Sequence, residues 1–371
     1  MNSLGSTQRE TVTGDGQPAP TVSVVTAAYN ASEFIRHPVA SCLRQTLSDW
    51  ELIIVDDAST DDTVERVRSL TLVDPRVHLI ALSENGGPGV ARNHGIAAAR
   101  GRYVAILDAD DTMTPERLNA LVSLAEAQRA DLVADNIMLQ RPGSFAPIGP
   151  LFEPALLQKH RRLELNAYLR HNNAACFSPS FGYLQPIIRR QFLIDNRLAY
   201  PEGLRIGEDF FLSAMCLAKG GKFLILPECH YGYTVRARSL TRSDARVIGE
   251  SLRVTNTRLS ATLADLGLLA EAELFDDLIR SYEKLLSFRE AGVALRAGDW
   301  TGALKHLCAV RDPGFVLLQM LWTVRRRIEA QFSEYSSAAR RWALRNQPNL
   351  DPPLPLDSAD VSIRARALTE N

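Results

Sequence analysis

The chain has 371 residues, 46% hydrophobic and 23% charged, enough for one large domain or two smaller ones with a real core. A net charge of −1 gives no basis for nucleic acid as the main partner. The five cysteines are scattered without a CxxC pair, which argues against a zinc motif or a disulfide framework and for free thiols in a reducing, cytoplasmic compartment.

Residues 1–20 are polar and lack the apolar core of a signal peptide, so they read as a disordered tail. From Thr21 strands and helices alternate. Val22 to Thr26 reads as a first strand, followed by a helix carrying Ile35, Val39, Leu43 and Thr46 on one face. Strands follow at 51–55, 77–82 and 103–107, with helices at 61–70 and 88–99 between them. This βαβ order predicts an α/β fold with a doubly wound, mostly parallel sheet. The next helix has a start signal: Thr114 as N-cap, Pro115 at its first position and Glu116 in its first turn. Residues 131–139 read as one more strand.

Beyond residue 140 the alternation lapses. Short β candidates stand at 183–188, 222–226 and 231–235, with a helix over 208–219 ended by Gly220-Gly221. The expected organisation is therefore a first half over 21–135, a second over 136–243, a helical region over 244–346 and a tail over 347–371. No apolar stretch approaches the ~20 residues that span a bilayer. Leu321, Val324, Ile328, Phe332, Tyr335, Ala339 and Trp342 recur at helical spacing beside six arginines. This stripe either packs on the rest of the protein or lies on an anionic membrane surface at the inner face of the plasma membrane.

The acids carry the chemistry. The apolar run Tyr103 to Leu107 ends in Asp108, Asp110 and Asp111. Open α/β sheets bind ligands at that edge. Clustered carboxylates there call for a hard divalent cation, Mg²⁺ or Mn²⁺, which normally shares its shell with substrate phosphates. Asp56 and Asp57 end the second strand at the same edge; Ser59, Thr60 and Asp61 already supply helix caps, which frees that pair for ligand contact. Glu84 to Asn93 is a glycine-rich loop entering a helix, either a plain tight turn or an anion site, with Arg92 beside it for a phosphate or carboxylate. Glu208 and Asp209 fall in the first turn of a helix. They read equally as surface acids complementing the macrodipole or as a general base. Arg236, Arg238, Ser239 and Thr241 form a basic run that fits a diphosphate or an ordinary surface loop, and His230 reads as a satisfied structural histidine.

Asp108-Ala109-Asp110-Asp111-Thr112 also fits the DxDx[TV] pattern of haloacid-dehalogenase-type phosphohydrolases, but there the motif usually ends the first strand, and here three strands precede it. The whole set resembles another family. Ala27-Ala28-Tyr29-Asn30, Val55 to Thr63, Gly89 to Ile96, Leu107 to Asp111 and Gly207-Glu208-Asp209, in that order, resemble the family 2 inverting glycosyltransferases of GT-A fold. Bacterial exopolysaccharide enzymes of the succinoglycan type are the nearest in kind. Ala27-Ala28 stand where many relatives carry Pro-Thr or Pro-Ser.

The resemblance implies a nucleotide-sugar donor, most simply a UDP-sugar, and a saccharide or polyprenyl-diphosphate-linked glycan acceptor. It implies Tyr29 near the nucleobase, Asp57 accepting the base imide with Asp56 nearby, and Asp108 at the ribose. Asp110 would ligate the divalent cation, Asp111 would support it, and Arg92 and Arg238 would lie near the phosphates. Asp209 would be the general base, with Glu208 as the alternative. A catalytically silent nucleotide-binding subunit of a polysaccharide assembly complex is the remaining reading.

Overall fold

The computed structural model describes residues 19–172, 179–236, 245–317 and 320. Its first half is β1 (Val22–Ala28), α1 (Arg36–Leu43), β2 (Trp50–Asp56), α2 (Thr63–Thr71), β3 (Val77–Ala81), α3 (Pro88–Ala98) and β4 (Tyr103–Ile106). The four strands are parallel in the order β3-β2-β1-β4. Their β-branched runs are covered on both faces, so β2 is buried along its whole length. Glu51, a buried acid of β2, accepts from Ser23 Oγ at 2.6 Å and pairs with Arg100 at 2.9 Å. A Cβ on Gly95 would stand 2.3 Å from Val25 Cγ1, so glycine lets α3 lie close on β1.

The second half adds β5 (Thr112–Met113), α4 (Arg117–Gln128), β6 (Leu132–Gln140), β7 (Pro147–Pro150), α5 (Pro154–Lys159), β8 (Arg162–Leu163) and α6 (Leu165–Arg170). A 3₁₀ turn at Phe181–Tyr183, β9 (Ile187–Arg189), α7 (Arg190–Asp195), α8 (Glu208–Ala218) and β10 (Phe223–Thr234) complete it. Short β9 runs antiparallel between β4 and β6 and joins both halves into one sheet, ordered β3-β2-β1-β4-β9-β6-β10-β5. The fold is α/β, and the sequence boundary expected at residue 135 falls inside β6. Arg117 is fully buried where these elements meet, with Nε 2.9 Å from Asp135 and its guanidinium over the Tyr231 ring.

Three local expectations are corrected. Helix α4 begins at Arg117, with Glu116 rather than Thr114 at its cap. Thr114 is pinned elsewhere: its N–H donates to the His230 carbonyl, and its hydroxyl is hydrogen-bonded to His230 Nδ1, both at 2.9 Å. The β candidates at 222–226 and 231–235 are one strand, β10, whose register on β6 slips at a bulge between Leu226 and Tyr231. The candidate at 183–188 is the 3₁₀ turn followed by β9.

Helices α9 (Ala245–Asp265), α10 (Leu269–Arg296) and α11 (Trp300–Val310) follow, α9 packing on α8 and on α10. Thr255 of α9 donates its hydroxyl to the Ile206 carbonyl at 2.8 Å, tying this helical region to the loop before α8. No helix among the described residues is long and apolar enough to cross a membrane. The basic stripe from Leu321 to Trp342 lies outside the described residues.

Candidate active site

Strands β1, β2 and β4 run parallel, so the loops leaving their C-terminal ends share one edge of the sheet. The connections from β1 to β2 and from β3 to β4 proceed to opposite sides of β1, which opens a crevice there. A cleft of about 550 Å³ occupies it, lined by Tyr29, Asp57, Arg92, Asp108, Asp110 and Asp209 among others.

At one end the β1 and β2 loops are latched together. Asn30 Oδ1 accepts from Thr60 N at 2.8 Å, and Ser59 Oγ accepts from Asn30 N at 2.9 Å. Asn30 and Ala58 both hold left-handed backbone, φ 48° and 58°. For alanine this conformation carries strain of about 1 kcal/mol or more, the kind that gathers at functional sites. Asp57 accepts from Gly86 N and Gly87 N, each at 2.8 Å, and so fixes the glycine-rich loop. Buried Asp56 accepts from Ser59 N at 2.9 Å through Oδ2, and its Oδ1 has no partner among the described residues. Tyr29 is half exposed over this end.

The centre is Arg92. Its Nη2 lies 2.8 Å from Asp108, and its Nη1 lies 2.7 Å from Glu208 and 3.1 Å from Asp209. One buried guanidinium thus gathers acids from the β4 loop and from the first turn of α8. Of the two contacts open to Arg92 in the sequence, the structure makes the carboxylate one. Burial works against its charge, but the surrounding acids more than offset that and hold its pKa well above the ordinary value.

Glu208 and Asp209 differ. Glu208 is 9% exposed in its side chain and Asp209 is 20% exposed. Asp209 Oδ1 also accepts from Tyr200 Oη at 2.9 Å. Burial pushes the Asp209 carboxyl up to about 7; Arg92 pulls it down, Glu208 and Asp108 push it further up, and the Tyr200 hydroxyl pulls it down. A carboxylate with a pKa near neutrality is suited to accept a proton at physiological pH.

Across the cleft Asp110 is ion-paired with Arg236, whose guanidinium lies 4.4 Å from the Phe34 ring centroid. Asp110 is raised by burial, with Arg236 opposing and Asp108 adding to the rise. Asp111 is fully buried, and both its oxygens are engaged: Oδ2 accepts from Tyr231 Oη and Oδ1 from Thr234 N, each at 2.8 Å. It stands behind Asp110 and not in the cleft. Among the described residues no group of three or more His, Cys, Asp or Glu is gathered to hold a metal. The carboxylate oxygens at the cleft are of the donor type that a hard cation takes, and of the cluster Asp110 is the acid beside Arg236.

Tyr29, Asp57, Arg92, Asp108, Asp110, Glu208 and Asp209 therefore meet in one cleft. Asp56 and Asp111 lie beneath it, and Arg238 lies outside the described residues. Sequence reasoning missed Tyr200, Arg205 and Asn93. Arg205 Nη2 donates to Asn85 Oδ1 at 3.2 Å at the cleft rim. Asn93 beside Arg92 was visible in the glycine-rich motif, but its partner Tyr200 is more than a hundred residues away and had no local signal.

Known proteins share this arrangement of sequence and fold. The family described as Glycosyl transferase family 2 matches residues 23–192. The succinoglycan biosynthesis protein ExoO of Rhizobium meliloti (strain 1021) is 34% identical over 352 residues, spanning 89% of this chain and 97% of its own length. ExoU of the same organism, also a succinoglycan biosynthesis protein, is 34% identical over 232 residues, 62% of this chain and 66% of its own. The structure of S. aureus TarS 1–349 in complex with UDP-GlcNAc shares the fold, with a TM-score of 0.52 at 20% identity over 79% of this chain and 92% of that one.

Proposed function

This chain belongs to glycosyl transferase family 2 and is a glycosyltransferase, and we propose that it moves a sugar from a UDP-sugar, with inversion, to a saccharide or polyprenyl-diphosphate-linked glycan in exopolysaccharide synthesis. Similarity to ExoO along nearly its whole length supports the exopolysaccharide assignment. One observation supports the chemistry above the rest: Arg92 holds Asp108 and Asp209 in the cleft that also contains Asp110.

In this reading Tyr29 covers the nucleobase and Asp57, fixed by the Gly86-Gly87 backbone, accepts its imide N–H. Asp108, oriented by Arg92, meets the ribose. Asp110 would hold a divalent cation, with Asp111 braced behind it, and such a cation would supply Lewis-acid neutralisation of the charge on the leaving diphosphate. Arg236 beside Asp110 adds a second positive charge for the same oxygens. Asp209 takes the proton of the acceptor hydroxyl, whose oxygen attacks the anomeric carbon from the face opposite the diphosphate. A single displacement inverts the configuration and needs no covalent sugar–enzyme intermediate. Glu208, more enclosed and tied to Arg92, keeps that cation in place. The phosphohydrolase alternative is not favoured, because the family that the chain matches is a glycosyltransferase family.

The test is a thermal-shift panel of UDP, GDP, ADP, TDP and CDP, with and without Mn²⁺, on wild type and Asp110→Ala. A nucleotide at ~100 times its Kd stabilises by about 2.7 kcal/mol. The expected result is a Mn²⁺-dependent shift for UDP that is lost in Asp110→Ala. No shift with any nucleotide would overturn the donor assignment.

A further inference from the structure

The fold contributes a group to this site that no strand-end acid motif contains. Tyr200 sits in the irregular segment between α7 and α8. Its ring is buried, 4% exposed, and lies against Arg92, with the guanidinium carbon 5.2 Å from the ring centroid. Its backbone is clamped from α3. Asn93 Nδ2 donates to the Tyr200 carbonyl at 2.9 Å, and Tyr200 N donates back to Asn93 Oδ1 at 2.8 Å. Gly89, one turn earlier, faces the same residue: a Cβ there would stand in van der Waals contact with Tyr200 Cβ at 3.4 Å. Adjacent residues of α3 therefore hold both halves of the site, Arg92 the acids and Asn93 the tyrosine.

The hydroxyl held this way donates to Asp209 Oδ1 at 2.9 Å. Arg92 Nη1 reaches the same oxygen at 3.1 Å. Among the described residues neither of these donors falls on Oδ2, so two hydrogen bonds anchor one oxygen and leave the other for a proton arriving from the cleft.

We propose that Tyr200 is a positioning residue for the transfer reaction: its hydroxyl selects which Asp209 oxygen receives the acceptor proton and holds that carboxylate in its ionised form. The inference rests on the reading of Asp209 as the general base. A hydrogen bond to the charged form of an acid favours that form, so loss of the hydroxyl makes Asp209 harder to ionise. The other groups around Asp209 stay in place in that comparison: Arg92 on α3, Asp108 after β4, Glu208 on α8 itself and Tyr168 on α6.

The test is Tyr200→Phe, which keeps the ring over Arg92 and removes only the hydroxyl. The Asp209 carboxyl is followed by ¹³C NMR in aspartate-labelled full-length protein, with Asp209→Asn used to assign its signal. The titration midpoint should move up by about half a unit or more in Tyr200→Phe. Asn93→Ala, which frees the tyrosine backbone, should move it the same way by less. The acid limb of UDP release from UDP-sugars in water should shift alkaline with the midpoint, with UDP affinity within about twofold of wild type. An unchanged or lowered midpoint in a folded Tyr200→Phe protein would overturn the proposal. Undiminished transfer in Asp209→Asn would instead overturn the base assignment, so the two failures are distinguishable.

Discussion

Replacing Arg92 by methionine tests the site at its electrostatic centre. The substitution keeps an unbranched side chain of similar reach and removes the charge. Arg92 is 4% exposed and contacts Glu208, Asp108 and Asp209 at 2.7, 2.8 and 3.1 Å. Without it three carboxylates share one enclosed space with no cation among them. Breaking a buried ion pair by deleting one partner costs about 3–5 kcal/mol, and three acceptors on one guanidinium place this variant toward the upper end. That is a factor of about 10²–10³·⁵ in the folding equilibrium at 1.4 kcal/mol per decade. The loss has a pH signature. Arg92 pulls the Asp209 carboxyl down, so removing the cation raises that carboxyl still further above its unfolded value. The folded protein then binds more protons than the unfolded chain in that window, and its stability falls as pH rises through it. The penalty should therefore be largest near pH 8 and smaller near pH 5, where Asp209 is already protonated in the folded wild type and in the folded variant. Guanidinium unfolding of wild type and Arg92→Met at both pH values measures it. A difference under about 1 kcal/mol near pH 8, or one equal at both pH values, would refute the account of Arg92 as the counterion of this cluster.

Other perturbations read the scaffold and the base. A Cβ on Gly101 would stand 2.4 Å from the Ser23 backbone nitrogen, so Gly101→Ala should destabilise by about 1–3 kcal/mol or more in thermal melts. Gly292, inside α10 with its nearest Cβ neighbour at 3.7 Å, should show the opposite sign on change to alanine, a gain of about 0.5–1 kcal/mol. With the Asp209 carboxyl near 7, wild-type turnover should fall about tenfold per unit on the acid side of that value. An acid limb near pH 4 instead would mean that burial does not raise this group.

Much of the architecture was legible in the sequence because parallel strands buried on both faces read as plain apolar runs. Val22 to Thr26 and Glu51 to Val55 needed no other information. The acids after β2 and after β4 were visible because each group ends such a run. What escaped depends on contacts across the chain. The Arg92–Glu208 pair closes over 116 residues, and Tyr200 reaches Asn93 over 107; neither has a local pattern. The late start of α4 is a case of tertiary override. Thr114 has the chemistry of a cap, but His230 on the neighbouring strand claims it first. Likewise the bulge in β10 places Glu228 and Cys229 between two segments that look separate in sequence. Spacing alone does not separate Asp108, Asp110 and Asp111, and the fold distinguishes buried, doubly bonded Asp111 from the two at the cleft.

The general-base assignment is tested most directly by single-turnover sugar transfer from a UDP-sugar, with UDP binding measured in parallel, in wild type, Asp209→Asn and Glu208→Gln. General-base assistance contributes about 10²–10⁴ in rate, so Asp209→Asn should bind UDP like wild type and transfer at least ~100-fold more slowly. Near wild-type transfer by Asp209→Asn, with Glu208→Gln inactive and still binding UDP, would contradict the account and move the proton acceptor to Glu208.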